Sequence, residues 1–215
     1  DVYKRQIIAT AHNANDNAET MLFNLTRGGG LKGLCGIPPK RGNIVRPLLG
    51  TTRQEIEAYN AANAIEYVSD KTNASDDYTR NILRHHVTPV LEGINPAFFE
   101  ACTRTVQLLR EDEACLDDMA RKAHDKHYRS GAFPAAKLLA LPKPIAMRVL
   151  RMICGRAMSF THAQAVYAIA SSSEYRSTDI SGMRVVCDRG VLYFGREYSV
   201  PESFELKIGA QPVSY

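Results

Sequence analysis

The densest run of reactive side chains is Thr10 to Thr20, TAHNANDNAET, which places His12, Asp16 and Glu19 close together. A histidine beside two carboxylates could hold a cation or orient a base. The spacing of Asp16 and Glu19 also fits a helix N-cap whose box Glu19 closes, with no chemistry at all. A second feature is RGGGLKGLCG, Arg27 to Gly36. Glycines let backbone N–H groups approach a phosphate closely. No Gly-Lys-Ser/Thr follows, so this is not a Walker loop, and a glycine-rich surface loop accounts for it equally. A third is RNILRHH, Arg80 to His86. Arg80 and Arg84 are four apart and share a helix face; with His85 they make a basic patch suited to phosphate, or a solvated face. His124 and His127 flank Asp125, but no third metal ligand is apparent, and a charged exposed turn is the simpler reading. No metal ligand set is assigned. Ser-His-Asp catalysis lacks its GxSxG elbow.

These residues must be positioned by regular elements. Ile7 to Thr10 reads as a short buried strand that runs into His12. A helix is expected from about Asp16 to Arg27, with Ala18, Met21, Leu22 and Leu25 at helical spacing, ended by Gly28-Gly29-Gly30. Ile44 and Val45 suggest a second strand. Thr52 and Glu55 form a capping box opening a helix that carries Ile56, Tyr59 and Ala62. Ile65 to Val68 is a third strand candidate, Asp70 to Asp77 a polar loop, and Arg80 to Leu91 a helix that Pro89 could kink. A strand ending at a helix start is where doubly wound sheets bind ligands. The alternation predicts an α/β domain with a parallel sheet.

Beyond Asn95-Pro96 the pattern changes. A long helical track from Phe98 to Ala123 reads as a bridging helix. Helices are expected around Pro144 to Arg156 and Thr161 to Ser171. Strands are expected at Arg184 to Cys187 and Val191 to Phe194, joined by Asp188-Arg189-Gly190. This makes a small α+β module. The expected organisation is 7–95 for the α/β domain, 96–130 for the bridging helix, 131–200 for the module and 201–215 for a linker.

Composition bounds the answer. The 215 residues are 45% hydrophobic and 23% charged, which is ordinary globular composition and excludes a disordered tail, a fibre or a disulfide scaffold. The formal net charge of +4 permits a nucleic-acid partner without demanding one. No apolar stretch is long enough to span a membrane, and no secretory signal is recognisable. The five cysteines form no CxxC pair, so a reduced, cytoplasmic setting is the simplest inference. The first residues, DVYKRQ, match the translation of a transposon-end sequencing adapter; Asp1 to Gln6 are therefore expected to be non-native, and the chain to be cut at that junction.

Taken in order, TAHxxxDxxET, RGGGLxGLxGIPP, RPLL, RxEIxxY and RNxxRHxxxPxLxxINP resemble the tRNA(Ile)-lysidine synthase family of the PP-loop ATP pyrophosphatases. The strong resemblance covers Ile7 to Pro96, and the later module resembles that family's first C-terminal tRNA-binding domain in layout. The resemblance implies a ligase that uses ATP with Mg²⁺ to adenylate the C2 oxygen of the wobble cytidine in a tRNA(Ile) with a CAU anticodon. An amine of free L-lysine then displaces AMP to give lysidine. It implies catalytic roles for His12, Asp16 and Arg84. Arg27, Gly28 and Gly30 would line the ATP cleft, and Glu19, Arg80 and His85 would contact substrates. No membrane is involved, and a homodimer is compatible.

The sequence departs from that pattern in places. Asn13 and Asn15 stand where many relatives have a histidine and an acid, and Ile82 stands where they have an arginine. No SGGxDS phosphate loop occurs, so the chain alone is expected to be inactive, lacking the domain's first strand and a last C-terminal domain. Two alternatives stay open: a related PP-loop enzyme that thiolates cytidine, which the isolated Cys35 disfavours, and a non-catalytic tRNA-binding protein.

Overall fold

The structure is a computed structural model that describes residues 6–67, 79–155, 158–172, 174–180 and 182–195. It divides into two compact units between Cys115 and Leu116.

The first unit is built around a small sheet. β1 (Ile8–Ala9) pairs in parallel with β3 (Ile44–Val45), and β2 (Lys40–Arg41) pairs with β3 antiparallel, giving the order β1-β3-β2. The sheet is therefore mixed, with one parallel pair, rather than wholly parallel. β1 is not buried as expected: Ile7 is 62% and Ile8 47% exposed. Residues 65–67 form no strand, and Val68, like the Asp70 to Asp77 loop, lies outside the described residues.

α1 (Ala14–Thr26) starts two residues before the expected position. Asn13 is the N-cap, its side chain accepting from the Asp16 N–H, while the Asp16 carboxylate accepts from the Asn13 N–H. The capping box is thus Asn13–Asp16, and Glu19 takes no part in it. An N-cap asparagine satisfies the same orphan donors as an aspartate, so spacing alone could not choose between the two registers. Gly28, with φ +71°, follows the Arg27 C-cap and ends the helix. α2 (Leu31–Leu34) follows. α3 (Arg53–Ala62) opens with the expected Thr52–Glu55 box.

The expected helix over Arg80 to Leu91 is three pieces. α4 (Thr79–Ile82) leads into a π-helical turn (Leu83–Val87), and α5 (Thr88–Ile94) begins with Pro89 in its first turn. Proline suits that position because its missing N–H would be unsatisfied there anyway. α6 (Phe98–His127) is the long helix expected from the sequence and passes through the division between the units.

The loop after α2 is held from two sides. Buried Asn17 on α1 accepts the Ile37 N–H at 2.8 Å. Arg110 on α6 donates to the Cys35 carbonyl at 3.0 Å and to the Ile37 carbonyl at 2.5 Å. Between them Gly36 has φ +64°, and a Cβ there would collide with the Asn17 side chain.

The second unit has the richer core. β4 (Ala132–Pro134), α7 (Ala135–Leu139), α8 (Lys143–Cys154), α9 (Phe160–Ala170), β5 (Arg176–Ile180), β6 (Met183–Asp188) and β7 (Val191–Gly195) follow in order. The antiparallel sheet runs β4-β7-β6-β5. Phe133, Leu138, Val149, Leu150, Val185 and Leu192 are wholly buried in one cluster. Arg189 and Gly190 have φ +46° and +76°, the two left-handed residues of a type I′ hairpin between the paired Asp188 and Val191. Of the expected α8 end, Arg156 lies outside the described residues, as does 201–215.

Candidate functional site

α1 leaves the sheet directly after β1, and this places Asp16 and Glu19 on successive turns of one helix face. The π-helical turn carries Arg84 and packs against α1. Such widened turns occur often at functional sites. Thr88 Oγ1 caps this turn by donating to the Arg84 carbonyl at 3.0 Å.

Arg84 meets Glu19 in a two-pronged ion pair. Its Nε donates to Glu19 Oε1 at 2.7 Å and its Nη2 to Oε2 at 2.8 Å. The same Nη2 donates to Asp16 Oδ1 at 3.2 Å. The Glu19 side chain is 4% exposed, whereas Arg84 and Asp16 are 27% and 28% exposed. The hydrogen bonds to Glu19 raise the Arg84 pKa; burial opposes this, and the charges of Glu19 and Asp16 add to it. The guanidinium is therefore a permanent cation at any physiological pH.

These three side chains line a cavity of about 210 Å³ together with Asn13, Asn15, Arg53, Thr88, Glu92 and Phe99. Three carboxylates, Asp16, Glu19 and Glu92, share this lining with two guanidiniums, Arg53 and Arg84. The balance is negative and suits a small cation such as an ammonium. Asn15 Oδ1 accepts the Arg53 N–H at 2.9 Å, tying the start of α3 to α1. Asn13 and Asn15, the departures noted above, thus both have structural work.

The other expected site residues lie elsewhere. His12 is not among the cavity-lining residues; its Nδ1 is 2.9 Å from Thr10 Oγ1. Arg27 stacks over the Phe23 ring at 4.7 Å. At Gly28 and Gly30 a Cβ would meet nothing within 4 Å, so no close-fitting cradle is formed there. Arg80 and His85 are exposed, while Arg84 turns to the carboxylates, so the three do not make the single basic face expected from their spacing. His127 packs edge-on against Phe133, and its pKa is lowered by burial and by Lys126, Lys137 and Arg129.

Of the three lining carboxylates, Asp16 and Glu19 are engaged by Arg84. Among the described residues no three His, Cys, Asp or Glu side chains are grouped to hold a metal ion. Mg²⁺ is ordinarily held by one or two carboxylates together with substrate phosphates, and Asp16, Glu19 and Glu92 are the carboxylates that line the cavity. No described helix is long and apolar enough to cross a membrane.

Sequence reading missed Arg53, Thr88, Glu92 and Phe99. Arg53 carried a signal, because it opens a helix by a capping box one residue after Thr52. Glu92 and Phe99 carried none, since only the packing of α5 and α6 brings them to α1.

The family model for the PP-loop domain matches residues 2–91. The chain is 34% identical over 208 residues to the tRNA(Ile)-lysidine synthase of Porphyromonas gingivalis, covering 95% of this chain and 46% of the relative. It is 38% identical over 154 residues to that of Geobacillus kaustophilus, covering 68% of this chain and 33% of the relative. With that of Thermosipho africanus it shares 48% identity over 111 residues, covering 52% and 26% respectively. The chain thus spans less than half the length of these curated relatives.

Proposed function

We propose, from a chain whose residues 2–91 belong to the PP-loop domain family and which matches tRNA(Ile)-lysidine synthases along 95% of its length, that the whole protein ligates L-lysine to C2 of the wobble cytidine of a CAU-anticodon tRNA(Ile). The observation that carries this is the acidic cavity at Asp16, Glu19 and Arg84, which offers a net negative lining to an ammonium.

ATP, when bound, supplies the adenylate that turns the C2 oxygen of the base into a leaving group. The chain's own residues then act on the incoming amine. Glu19 is neutralised by its two-pronged contact with Arg84, which leaves Glu92, together with the Asp16 carboxylate that Arg84 reaches only at 3.2 Å, to attract the lysine ammonium. Arg84 stays charged throughout and stands close enough to offset negative charge that develops beside it. His12 follows β1 with its Nδ1 2.9 Å from Thr10 Oγ1 and remains a candidate for a catalytic role. Arg27, Gly28 and Gly30 remain candidates for ATP contact on the exposed loop after α1, and Arg80 with His85 for RNA contact. Because no SGGxDS sequence occurs in these 215 residues, the chain by itself should show no turnover.

The test uses the whole protein with labelled lysine and ATP. Incorporation into a CAU-anticodon tRNA, accompanied by AMP release, is expected. A tRNA with uridine at the wobble position should accept none. Incorporation independent of ATP, or none with either tRNA, would refute the reading. Transfer of sulfur instead of lysine would favour the thiolation alternative.

A further inference from the structure

The widened turn that carries Arg84 has an identifiable cause just beyond its end. Pro89 brings no N–H to the helix, and its ring crowds the carbonyl four residues back, that of His85. An unbroken α-helix through this segment would need that N–H. The chain instead takes one more residue into the turn. The Thr88 N–H passes over the Arg84 carbonyl and donates to that of Leu83, five residues back. This register leaves one carbonyl to satisfy. Arg84 would receive the N–H of residue 88 in an α-helix, or of residue 89 in a π-helix. The first is given to Leu83, and the second does not exist because residue 89 is proline. Thr88 answers with its side chain, donating its Oγ1–H to the Arg84 carbonyl at 3.0 Å. Thr88 is buried, and an unanswered carbonyl away from water costs free energy.

The consequence falls on direction. In a regular α-helix, residues four apart are rotated by about 40° around the axis, so residues 84, 88 and 92 would fan away from one another. The widened turn holds more residues and takes up the first of those steps. Arg84, Thr88 and Glu92 accordingly all line the acidic cavity. From there Arg84 reaches both oxygens of Glu19, at 2.7 and 2.8 Å, and Asp16 at 3.2 Å. We infer that Thr88 and Pro89 are positioning residues for Arg84. Pro89 excludes the α-helical register, Thr88 satisfies the register that replaces it, and together they aim the guanidinium at α1. Their effect on turnover rests on the proposed ligation, whereas the register and the aim of Arg84 do not.

Two readouts on the whole protein separate the register from the reaction. With isotope-labelled arginine, the Arg84 Nε–H should give a side-chain resonance protected from exchange with water, because its carboxylate partner is almost wholly buried. Arg84→Lys removes that resonance and so assigns it. Pro89→Ala supplies the missing N–H, lets the turn return to an α-helix, and should erase the protection. Thr88→Val keeps the shape without the hydroxyl and should reduce protection by about tenfold, the loss of one hydrogen bond. Thr88→Ser should retain it, which a protein that had failed to fold could not do. In lysine transfer, Pro89→Ala should lower kcat by about 100-fold, as a misplacement of one ångström can, with KM for tRNA unchanged. Thr88→Val should lower kcat less, and Thr88→Ser should match wild type. Protection unchanged in both Pro89→Ala and Thr88→Val would overturn the inference, whatever the turnover. A Thr88→Ser variant as impaired as Thr88→Val would overturn the role of the hydroxyl. Lost protection with normal kcat would overturn the positioning role in catalysis. Lost protection in the variants of a protein that transfers no lysine to any tRNA would refute the ligation and support the register.

Discussion

Arg84 binds both oxygens of a carboxylate that is almost wholly out of water, and this makes the pair sensitive to the loss of one partner. Removing one side of such a pair leaves an uncompensated charge, which costs on the order of 3 kcal/mol, whereas replacing both by apolar groups can be nearly neutral. Arg84→Met should therefore destabilise the chain by roughly 3 kcal/mol in urea denaturation. The double variant Glu19→Leu/Arg84→Met should recover most of that loss. Equal destabilisation of single and double variants would show that Glu19 is solvated or paired elsewhere. Asp16 behaves differently, because one oxygen serves the N-cap and the other serves Arg84. Its role divides between holding α1 and shaping the cavity, which is why spacing alone allowed both a structural and a chemical reading.

At the scale of elements, the helix starts and the loop after α2 carry the positioning. The Glu55 carboxyl closes the α3 capping box by accepting the Thr52 N–H and Oγ1–H, and the backbone bond, first among its causes, lowers its pKa below the usual 4.5. A carboxylate lowered in the folded state contributes stability that is present above its unfolded pKa and lost as pH falls through the folded one. Glu55→Gln should accordingly lower stability at neutral pH, leave it little changed in acid, and so flatten the acid slope of the profile. An unaltered acid slope would remove the box from the account. Gly36→Ala should cost at least ~1 kcal/mol, because alanine is strained at positive φ and its methyl group meets Asn17. Thermal unfolding of that variant checks it. The legible elements were those with local signals: α3 from its Thr52–Glu55 box, α1 from its periodicity, and the β6–β7 hairpin from Asp188-Arg189-Gly190. β2, β4, β5 and α7 were not read, because they are short and, in β5, mostly polar, so pairing partners rather than alternation define them. The convergence of Asp16, Glu19 and Arg84 was visible only through the family resemblance. Their sequence separations of 65 and 68 residues hide it from any local pattern.

The whole molecule is uneven. Most of its wholly buried side chains belong to the cluster beyond Leu116, whereas the first unit exposes Ile8 on its sheet and Ile7 just before it, and buries few large side chains among the described residues. Local stability follows buried apolar contact. Hydrogen exchange should therefore protect amides of α8, β6 and β7 more strongly than those of β1 and α3. The reverse order would contradict this account of where the core lies. Such a division fits a molecule whose first unit carries the chemistry and whose second is a sturdy module, and the proposed ligation requires the acidic cavity to be the place where lysine is received. The most direct measurement is lysine transfer to CAU-anticodon tRNA by the whole protein carrying Asp16→Ala or Arg84→Ala, with tRNA affinity measured in parallel. Transfer should fall by roughly 100-fold or more in each, while tRNA affinity survives. Near-normal turnover in either variant would contradict the assignment of this site.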